Sequence, residues 1–350
     1  MPLVNTLYNN ESDAKNADRF PLGIQHFTQS GLVSLTHTVD PDMIFKNYSY
    51  RSGVSQTFKN HCKEINKKFE SAQLVADIGG NDGTLLAQSR AKIKHCIDPY
   101  SELSDEAVSA NVSRLKIKFG WDSISNNLLK KYDVVFTTNC YQHVQDLVGF
   151  ANSVRYILNN NGVWLLEFPD FHKTGLTYYD QIYHEHIYYY TEKTVRNLFL
   201  QCGLEIVESN DIDIHSGTKQ LVVAKGPRRY IIDPENAYNF TKQMSSFEKI
   251  IEHQKSIIAG LKGKKVALYG AAAKGCTVLN YHGLTSADIM YCVDDTPEKQ
   301  GKYIAGAGVP IVPRSEFEKV KPDVVIIQAH NFYHEIRSKI PANLEVIKLF

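Results

Sequence analysis

Residues 74–86 read LVADIGGNDGTLL: a short apolar strand runs into a glycine-rich turn, and the turn opens a helix. Glycine at Gly79 and Gly83 permits positive φ angles and lets a ligand approach the backbone closely. In open α/β sheets, ligands bind where such turns leave the carboxyl ends of the strands. The stretch therefore predicts both a class of fold and one binding site.

Strand-like and helix-like segments alternate after this turn. The candidate strands of the first unit are residues 74–77, 94–97, 132–137 and 163–167. Short apolar strands that alternate with helices are typical of a parallel, doubly wound α/β sheet. Residues 204–209 and 220–224 follow with no room for a helix between them. They therefore predict an antiparallel hairpin appended to that sheet.

A second alternation begins closer to the C-terminus. Residues 234–261 read as one long polar helix, and candidate strands follow at 266–269, 289–293 and 324–328. These strands predict a smaller, Rossmann-like α/β domain, whereas the N-terminal residues show weak periodicity and are expected to be irregular. The predicted parts are an N-terminal region (1–68), a central domain (69–226), a linker helix (227–262) and a C-terminal domain (263–350).

Composition excludes several classes of protein. The net charge is +1 without a long basic run, so no nucleic-acid surface is expected. Polar residues interrupt every apolar stretch before the roughly 18 residues that cross a bilayer. The N-terminus lacks the pattern of a secretory signal, so a cytoplasmic protein is expected. The six cysteines are scattered, which argues against a zinc ribbon and against a disulfide framework.

The ligand of the glycine turn is inferred from the acidic residues around it. The dinucleotide fingerprint G-x-G-x-x-G does not fit. The turn is similar to the acidic-x-Gly-x-x-x-Gly turn of class I methyltransferases, which bind S-adenosylmethionine (SAM), with Asp77 as the acid and Asn81 in place of the usual middle glycine. Asp98 ends the next strand and is expected to accept both ribose hydroxyls of an adenosine. Asp77, Gly79, Asn81, Gly83 and Asp98 are candidate cofactor ligands, with a nicotinamide site or an unliganded turn as alternatives.

Residues 180–190, DQIYHEHIYYY, concentrate two histidines, a glutamate and several tyrosines. Imidazole, carboxylate and phenol groups move protons or hold an oxyanion at neutral pH. His184 and His186 lie two apart, so on a strand they would share one face and could bind a metal. Because no third ligand is evident nearby, no metal site is predicted.

Several separated motifs, in one order along the chain, resemble a known family. VADIGGNDGTLL, TNCYQHVQDL, EFPDF, YDQIYHEHIYYY and YGAAAKG are similar to motifs of the sugar C-methyltransferases that act on nucleotide-linked 4-keto-deoxy sugars. The resemblance runs from NYSYRSGVSQTF to QAHNFYHEI, which is essentially the whole chain. It implies a zinc-binding N-terminal domain, a central SAM domain, and a C-terminal Rossmann-like domain that helps enclose the nucleotide sugar.

One departure from that family is plain. Its members carry two Cys-x-x-Cys pairs near the N-terminus, the second just before a Gly-Leu-Val-x-Leu stretch. Residues 23–35 read GIQHFTQSGLVSL, with no cysteine, and the first pair would precede residue 1. Zinc is therefore expected to be absent, which puts in doubt the order of residues 1–45 and the identity of the substrate.

The resemblance also implies a chemistry. Methyl transfer to carbon needs a carbanion, and a sugar carbon becomes acidic only beside a carbonyl group. By its place in the YHEH motif, His186 is the implied general base, and the unperturbed pKa of histidine lies near 6.5. Glu185 and Tyr183 would orient that base or donate to the enolate oxygen, and Tyr50 would reach the reacting sugar.

Further candidate residues lie at the ends of other predicted strands. Asn139 follows the strand at 132–137 and is expected to contact the cofactor or the substrate. The remaining candidate substrate-binding residues are His143, Glu167, His184, His215 and Lys274. A packing role stays open for His143 and His184. Lys274 follows small residues that open a helix, where the diphosphate of a nucleotide sugar could bind.

Two rival functions remain open at this point. One is O- or N-methylation of a sugar or another small molecule on the same scaffold. The other is a non-catalytic descendant that binds a nucleotide sugar, because the zinc cysteines are missing and Asn81 departs from the commonest turn. The sequence does not predict an oligomeric state.

Overall fold

A computed structural model describes residues 1–45, 50–126, 129–174, 179–214, 217–230, 240–329 and 332–349. His215, a candidate substrate-binding residue, lies outside these ranges. The N-terminal part contains the strands β1 (Leu7–Tyr8), β2 (Ile24–Phe27) and β3 (Leu32–Leu35) and the helices α1 (Glu11–Lys15) and α2 (Pro41–Phe45).

The central part is built on one mixed sheet. The strands of the central part are β4 (Leu74–Ile78), β5 (Ile93–Ile97), β6 (Ser113–Leu115), β7 (Tyr132–Thr138), β8 (Leu158–Pro169), β9 (Tyr188–Tyr189), β10 (Leu204–Ile212) and β11 (Thr218–Lys225). Its helices are α3 (Gln56–Lys68), α4 (Thr84–Ala87), α5 (Asp105–Ser109), α6 (Trp121–Ser125), α7 (Leu147–Ile157), α8 (Phe171–Thr174) and α9 (Glu192–Gln201). A seven-stranded sheet has the order β6-β5-β4-β7-β8-β11-β10. Strand β11 runs antiparallel to both of its neighbours, whereas β4 to β8 pair in parallel.

Burial on both faces explains why these central strands are short apolar runs, as in other parallel sheets. Phe58 of α3 belongs to the hydrophobic cluster on one side, and Phe150 of α7 belongs to the cluster on the other. Trp164 of β8 is fully buried, and its indole N–H donates to Thr137 Oγ1 of β7 at 3.0 Å. This packing brings the carboxyl ends of the strands to one edge of the sheet.

The C-terminal part begins with the long helix α10 (Phe240–Ala259). It continues with the strands β12 (Val266–Tyr269), β13 (Tyr291–Val293), β14 (Tyr303–Ile304), β15 (Ile311–Val312), β16 (Val324–Ile327) and β17 (Glu345–Ile347) and the helices α11 (Ala273–His282), α12 (Glu316–Lys319) and α13 (Tyr333–Lys339). A five-stranded parallel sheet has the order β15-β13-β12-β16-β17. This sheet, together with the hairpin β10–β11 on the central sheet, confirms the predicted α/β fold class.

The N-terminal region is more regular than its sequence predicted. Strand β1 pairs with β14, and β3 pairs with both β2 and β9. Val4, Val33 and Leu35 are buried in the same hydrophobic cluster as Leu268 and Leu279 of the C-terminal part. Because these partners lie far along the chain, local periodicity could not reveal the pairing. Residues 1–45 are ordered by packing against two other parts of the molecule.

The long linker helix was predicted over 234–261 and is observed as α10, with residues 231–239 outside the described ranges. Two of its polar residues, Gln243 and Gln254, are fully buried. The amide oxygen of Gln254 accepts a hydrogen bond from the Tyr179 hydroxyl at 2.6 Å, which joins α10 to the segment before His186. Within the described ranges, no helix has both the length and the apolar character needed to cross a membrane.

Candidate active site

The glycine turn after β4 has the backbone geometry that its sequence requires. Gly79, Asn81 and Gly83 all have positive φ angles, of 71°, 51° and 77°. The Gly79 N–H donates to the Ile97 carbonyl at 2.8 Å, which ties the turn to the end of β5. A Cβ atom at Gly79 would lie 2.3 Å from Cys140 Sγ, so no larger residue fits without displacement. The close packing of Cys140 therefore requires glycine at position 79.

A cavity of about 690 Å³ lies against this turn, a volume typical of small-molecule sites. Four candidate cofactor ligands line it: Gly79, Asn81, Asp98 and Asn139. Aromatic rings also line it, including those of Phe45, Tyr100, Phe119, Trp121 and Phe150. Apolar rings beside a few polar groups suit a ligand with an aromatic base and a polar backbone.

Asp98 is largely committed to the protein backbone. Its Oδ1 accepts from the N–H groups of Tyr100 and Ser101 at 2.9 and 2.8 Å. Its Oδ2 accepts from the Asn81 N–H at 3.1 Å. A carboxylate has about four acceptor positions, so roughly one is left for a ligand. This is fewer than the two acceptor positions that the sequence analysis assigned to the ribose hydroxyls.

The other two candidate cofactor ligands, Asp77 and Gly83, do not line the cavity. Asp77 is buried beneath the turn, and burial, together with the nearby Asp98 and Asp82 carboxylates, holds its pKa well above the ordinary value. A Cβ atom at Gly83 would lie 2.8 Å from the Cβ of Ala107 in α5. Asp77 and Gly83 therefore support the conformation of the turn without lining the cavity.

Asn81, which departs from the commonest turn, has an identifiable structural role. Its side-chain amide donates to the Tyr50 carbonyl at 3.1 Å and to Ser101 Oγ at 3.2 Å. Its Oδ1 accepts from the Ser52 N–H at 3.1 Å. A glycine could make none of these side-chain bonds. Asn81 therefore fixes Tyr50 and the following segment against the glycine turn.

A second cavity, of about 280 Å³, adjoins the first and lies between the central and C-terminal parts. Its lining includes Tyr183, Glu185 and His186 from the YHEH segment and Lys274 from α11. Tyr50, Asn139 and His143 line both cavities. The ring centroids of His143 and His186 are 5.1 Å apart. The His143 side chain thus lies between His186, the implied base, and the cavity at the glycine turn.

The hydrogen bonds of His186 define its tautomer. Its Nδ1 lies 3.0 Å from the Gln181 carbonyl oxygen, which can only accept, so Nδ1 carries a proton. Its Nε2 lies 2.8 Å from the Tyr183 hydroxyl. In the neutral ring, Nε2 is therefore the acceptor, and the Tyr183 hydroxyl donates to it. The side chain that faces the cavity is an oriented imidazole–phenol pair.

Burial keeps both members of this pair neutral. The pKa of His186 lies well below its ordinary value, because burial disfavours the imidazolium and His143 and Lys274 lie nearby. Burial, together with Glu185 and Tyr189, holds the pKa of Tyr183 well above its ordinary value. An unprotonated imidazole can take up a proton at neutral pH, and a protonated phenol can donate a hydrogen bond to an oxyanion.

The side chain and the backbone carbonyl of Glu185 each accept a hydrogen bond from a residue outside the YHEH segment. Asn5 in the N-terminal region donates from Nδ2 to Glu185 Oε1 at 2.7 Å, and Asn5 itself lines the second cavity. His143 donates from Nδ1 to the Glu185 carbonyl at 2.5 Å. Asn5 was not predicted as a site residue, because 180 positions separate it from Glu185 and no local pattern marks it.

Two candidate substrate-binding residues lie outside the second cavity. His184 points toward the N-terminal region, where its Nε2 lies 3.1 Å from the Pro21 carbonyl and its ring meets Phe20 edge-on. Glu167 is fully buried, and its Oε1 bonds to His61 at 2.7 Å and to Gln220 at 2.6 Å. The side chains of His184 and Glu167 therefore hold neighbouring parts of the chain together and do not line the cavity.

The C-terminal wall of the second cavity contains charged residues. Lys274 lies in the first turn of α11, and burial lowers its pKa while Asp180 opposes the shift. Lys299 donates to the Ala271 carbonyl at 2.8 Å and lies 3.4 Å from Asp294. Several lining residues were not predicted from the sequence, among them Gln142, Gln181, Tyr269, Lys299 and Lys339. In the described part of the chain, no group of three or more His, Cys, Asp or Glu side chains is placed to hold a metal ion.

Comparison with known proteins agrees with this architecture. The strand order, with the reversed strand β11 next to the end of the sheet, is that of the class I methyltransferase fold. Residues 50–209 match the family described as a methyltransferase domain. The protein is a SAM-dependent methyltransferase of class I. Residues 229–346 match the family described as the C-methyltransferase C-terminal domain, and the chain is similar to the C-methyltransferases that carry it.

A curated relative covers nearly the whole chain. C-methyltransferase NovU of Streptomyces niveus is 25% identical over an alignment of 366 positions, gaps included, which covers 96% of this chain and 86% of the relative. Among solved structures, magnesium protoporphyrin IX methyltransferase of Synechocystis PCC 6803 with bound SAH is 16% identical, with a TM-score of 0.39 over 48% of this chain and 83% of that chain. The CcbJ methyltransferase of Streptomyces caelestis is 11% identical, with a TM-score of 0.37 over 53% and 95% of the two chains.

Proposed function

We propose that this C-methyltransferase acts on a nucleotide-linked keto-deoxy sugar and methylates a carbon beside the ketone through an enolate. The observation that carries the proposal is the neutral His186–Tyr183 pair, which faces a cavity adjoining the one at the glycine turn. C-methylation needs a base and an oxyanion donor next to the methyl donor. His186 and Tyr183 line the second cavity, and the ring of His186 lies 5.1 Å from that of His143, which lines both cavities.

The residues of the first cavity fit SAM. Gly79 lines the cavity, Asn81 fixes the turn, and the Asp98 carboxylate keeps about one acceptor position for a ribose hydroxyl. Asn139, whose Oδ1 has no hydrogen-bond partner among the described residues, lines the side toward the second cavity. We propose these four residues as the cofactor ligands. When bound, SAM supplies an electrophilic methyl group on a sulfonium.

His186 is proposed as the general base. Its Nε2 would take the proton from the carbon beside the ketone, while the Nδ1 bond to the Gln181 carbonyl keeps the ring in place. For this, the Tyr183 hydroxyl must leave Nε2, and it can then donate to the enolate oxygen. A positioned base contributes about 10²–10⁴-fold in rate, and one preorganised oxyanion donor about 3 kcal/mol.

Three further residues have supporting roles in this proposal. Glu185, held by Asn5 and by His143, would fix the segment that carries the base. Tyr50 lines both cavities, which places it beside the reacting sugar and the cofactor. His143, which lines both cavities, would lie beside both the cofactor and the sugar.

The nucleotide diphosphate is proposed to lie against the C-terminal wall. Lys274, in the first turn of α11, lines the second cavity on that side. A cation and free N–H groups at a helix start favour an anion. His184 and Glu167 are not proposed as substrate ligands, because their bonds point into the protein. A cytoplasmic location remains a prediction.

Solvent exchange tests the chemistry without any methyl transfer. With S-adenosylhomocysteine bound, the enzyme in D₂O should exchange deuterium into the carbon beside the ketone of a nucleotide-linked keto-deoxy sugar. His186→Ala should abolish the exchange and keep S-adenosylhomocysteine binding. Methyl transfer without any exchange would indicate O- or N-methylation instead. Failure to bind S-adenosylhomocysteine at millimolar concentration would favour the non-catalytic descendant.

A further inference from the structure

Two glutamines in the wall of the second cavity each have one side-chain amide atom without a hydrogen-bond partner among the described residues. Gln142 and Gln181 are 3% and 4% exposed, and both line the cavity. Gln142 Oε1 and Gln181 Nε2 have no hydrogen-bond partner among the described residues. Buried polar groups are nearly always paired, so an unpaired one in a cavity wall needs an explanation.

Both glutamines bond through their backbone carbonyls to the segment that carries the proposed base. The Gln181 carbonyl accepts from His186 Nδ1 at 3.0 Å, and the Gln142 carbonyl accepts from the Ile187 N–H at 2.8 Å. Gln142 lies in the short helical turn Tyr141–His143, and Gln181 lies in the turn Tyr179–Gln181. The two side chains therefore reach the cavity from two different elements that flank His186.

The orientation of the two amides favours one kind of ligand group. Gln142 Nε2 donates to the Asn139 carbonyl at 3.0 Å, which fixes Oε1 as an unused acceptor. Among the described residues, no hydrogen bond holds the Gln181 amide, and its Nε2 is the buried donor that lacks a partner. One hydroxyl group has both the donor that Gln142 Oε1 lacks and the acceptor that Gln181 Nε2 lacks. An ammonium group can only donate, and it would leave that Nε2 unpaired.

We infer that Gln142 and Gln181 together read a hydroxyl group of the substrate, close to the carbon that His186 deprotonates. The inference rests on the proposed function and narrows its substrate class. The substrate is then a keto sugar that keeps a hydroxyl beside the reacting carbon, rather than a fully deoxygenated or an amino sugar. A site built to bond a hydroxyl rejects an analogue that lacks it far more strongly than an apolar pocket does.

The test compares three probes in the presence of S-adenosylhomocysteine. They are a nucleotide-linked keto-deoxy sugar with a hydroxyl beside the reacting carbon, the same sugar with hydrogen there, and the same sugar with an amino group there. Calorimetry should show that the wild-type enzyme prefers the hydroxyl probe by about 10²-fold or more in Kd. In Gln181→Met and Gln142→Met, which keep the side-chain length, the preference should fall below about tenfold, through weaker binding of the hydroxyl probe.

A matched control is available elsewhere in the chain. Gln88 also has a buried amide oxygen without a partner among the described residues, but it lines neither cavity. Gln88→Met should keep the preference, and thermal melting together with S-adenosylhomocysteine affinity should show that all three variants fold. Equal binding of the three probes by the wild-type enzyme, a preference for the amino probe, or equal loss of all probes in the variants would each overturn the inference.

Binding and turnover separate this inference from the proposed function. If the hydroxyl preference behaves as expected but no probe is methylated or exchanges deuterium, the proposed chemistry fails and the hydroxyl-reading role stands. If the hydroxyl probe is methylated at carbon but the glutamine variants keep the wild-type preference, the chemistry stands and this inference fails.

Discussion

The two cavities adjoin at Tyr50, Asn139 and His143, yet the chain builds them in different ways. The cavity at the glycine turn is lined by residues between Asp40 and Phe150, most of them at the ends of neighbouring strands of one sheet. The cavity at His186 is lined by residues from Asn5 to Lys339 and needs the N-terminal, central and C-terminal parts together. A local motif therefore indicates the first cavity, whereas packing between distant parts creates the second.

The same contrast appears within the YHEH segment. His184 and His186 are two residues apart, and both are buried. His184 bonds to the Pro21 carbonyl in the N-terminal region, whereas His186 pairs with Tyr183 and lines the second cavity. Had the segment been a regular strand, both rings would share one face. The segment is irregular at this point, so spacing alone does not assign their roles.

The largest expected effect separates these two histidines. His186→Ala should lower kcat by about 10²–10⁴-fold, because it removes the proposed base, while S-adenosylhomocysteine affinity stays unchanged. His184→Ala should keep most of the turnover per folded molecule but cost about 1–3 kcal/mol of unfolding free energy, since a buried bond to the Pro21 carbonyl is lost. Methyl transfer assays and denaturant unfolding on both variants measure the difference. Equal kinetic losses would remove the distinction.

The next effect compares two aspartates at the glycine turn. Asp98→Asn should weaken S-adenosylhomocysteine binding by about 10- to 10²-fold, because a bond to a charged acceptor contributes about 1.5–3 kcal/mol. Asp77→Asn should change the affinity by less than about threefold, since Asp77 is buried and does not line the cavity. Calorimetry measures the S-adenosylhomocysteine affinity of both variants. A comparable loss at Asp77 would mean that the motif, not the cavity lining, identifies the ligands.

The pH dependence of stability sharpens the assignment of His186 as a buried neutral base. Its folded-state pKa lies well below the ordinary value of 6.5, so the unfolded chain binds the proton more readily. The contribution of this group to stability is therefore fully present above about pH 6.5 and is lost as the pH falls below it. At a pH one unit lower the loss is about 1.4 kcal/mol. Denaturant unfolding should show a shallower loss in His186→Gln than in the wild type, and identical slopes would contradict the neutral assignment.

The smallest expected effect tests whether the N-terminal region belongs to the active site. Asn5→Ala should lower kcat by about three- to tenfold, because the Glu185 carboxylate loses its bond from Asn5. The S-adenosylhomocysteine affinity should not change. Asn10→Ala is the control: it removes the cap of α1, where the side chain accepts from the Asp13 N–H at 2.8 Å, and costs about 1 kcal/mol without contacting the cavity. An equal drop in kcat for the control would reduce Asn5 to a purely structural role.

The sequence predicted the strands of both sheets where apolar runs are long enough to be buried on both faces. The predicted strands at 74–77, 132–137 and 266–269 correspond closely to β4, β7 and β12. Strands β6, β15 and β17 were not predicted, since two or three residues at a sheet edge carry no clear pattern. The pairings of β1 with β14 and of β3 with β9 were missed because these partners come much later in the chain, and the short hairpin β2–β3 was missed because its periodicity is weak.

For the candidate site, the sequence alone indicated the chemical groups: the glycine turn, Asp98, and the histidine, glutamate and tyrosine of the YHEH segment. Their residue types limit what they can do, whatever the fold. Tertiary structure decided which of them share a cavity, because direction and burial depend on partners far along the chain. It turned His184 toward Pro21, placed Asp77 behind the turn, and brought Asn5 to Glu185. Propensity and pattern act over a few residues, whereas a cavity exists only where distant surfaces fail to fill the space between them.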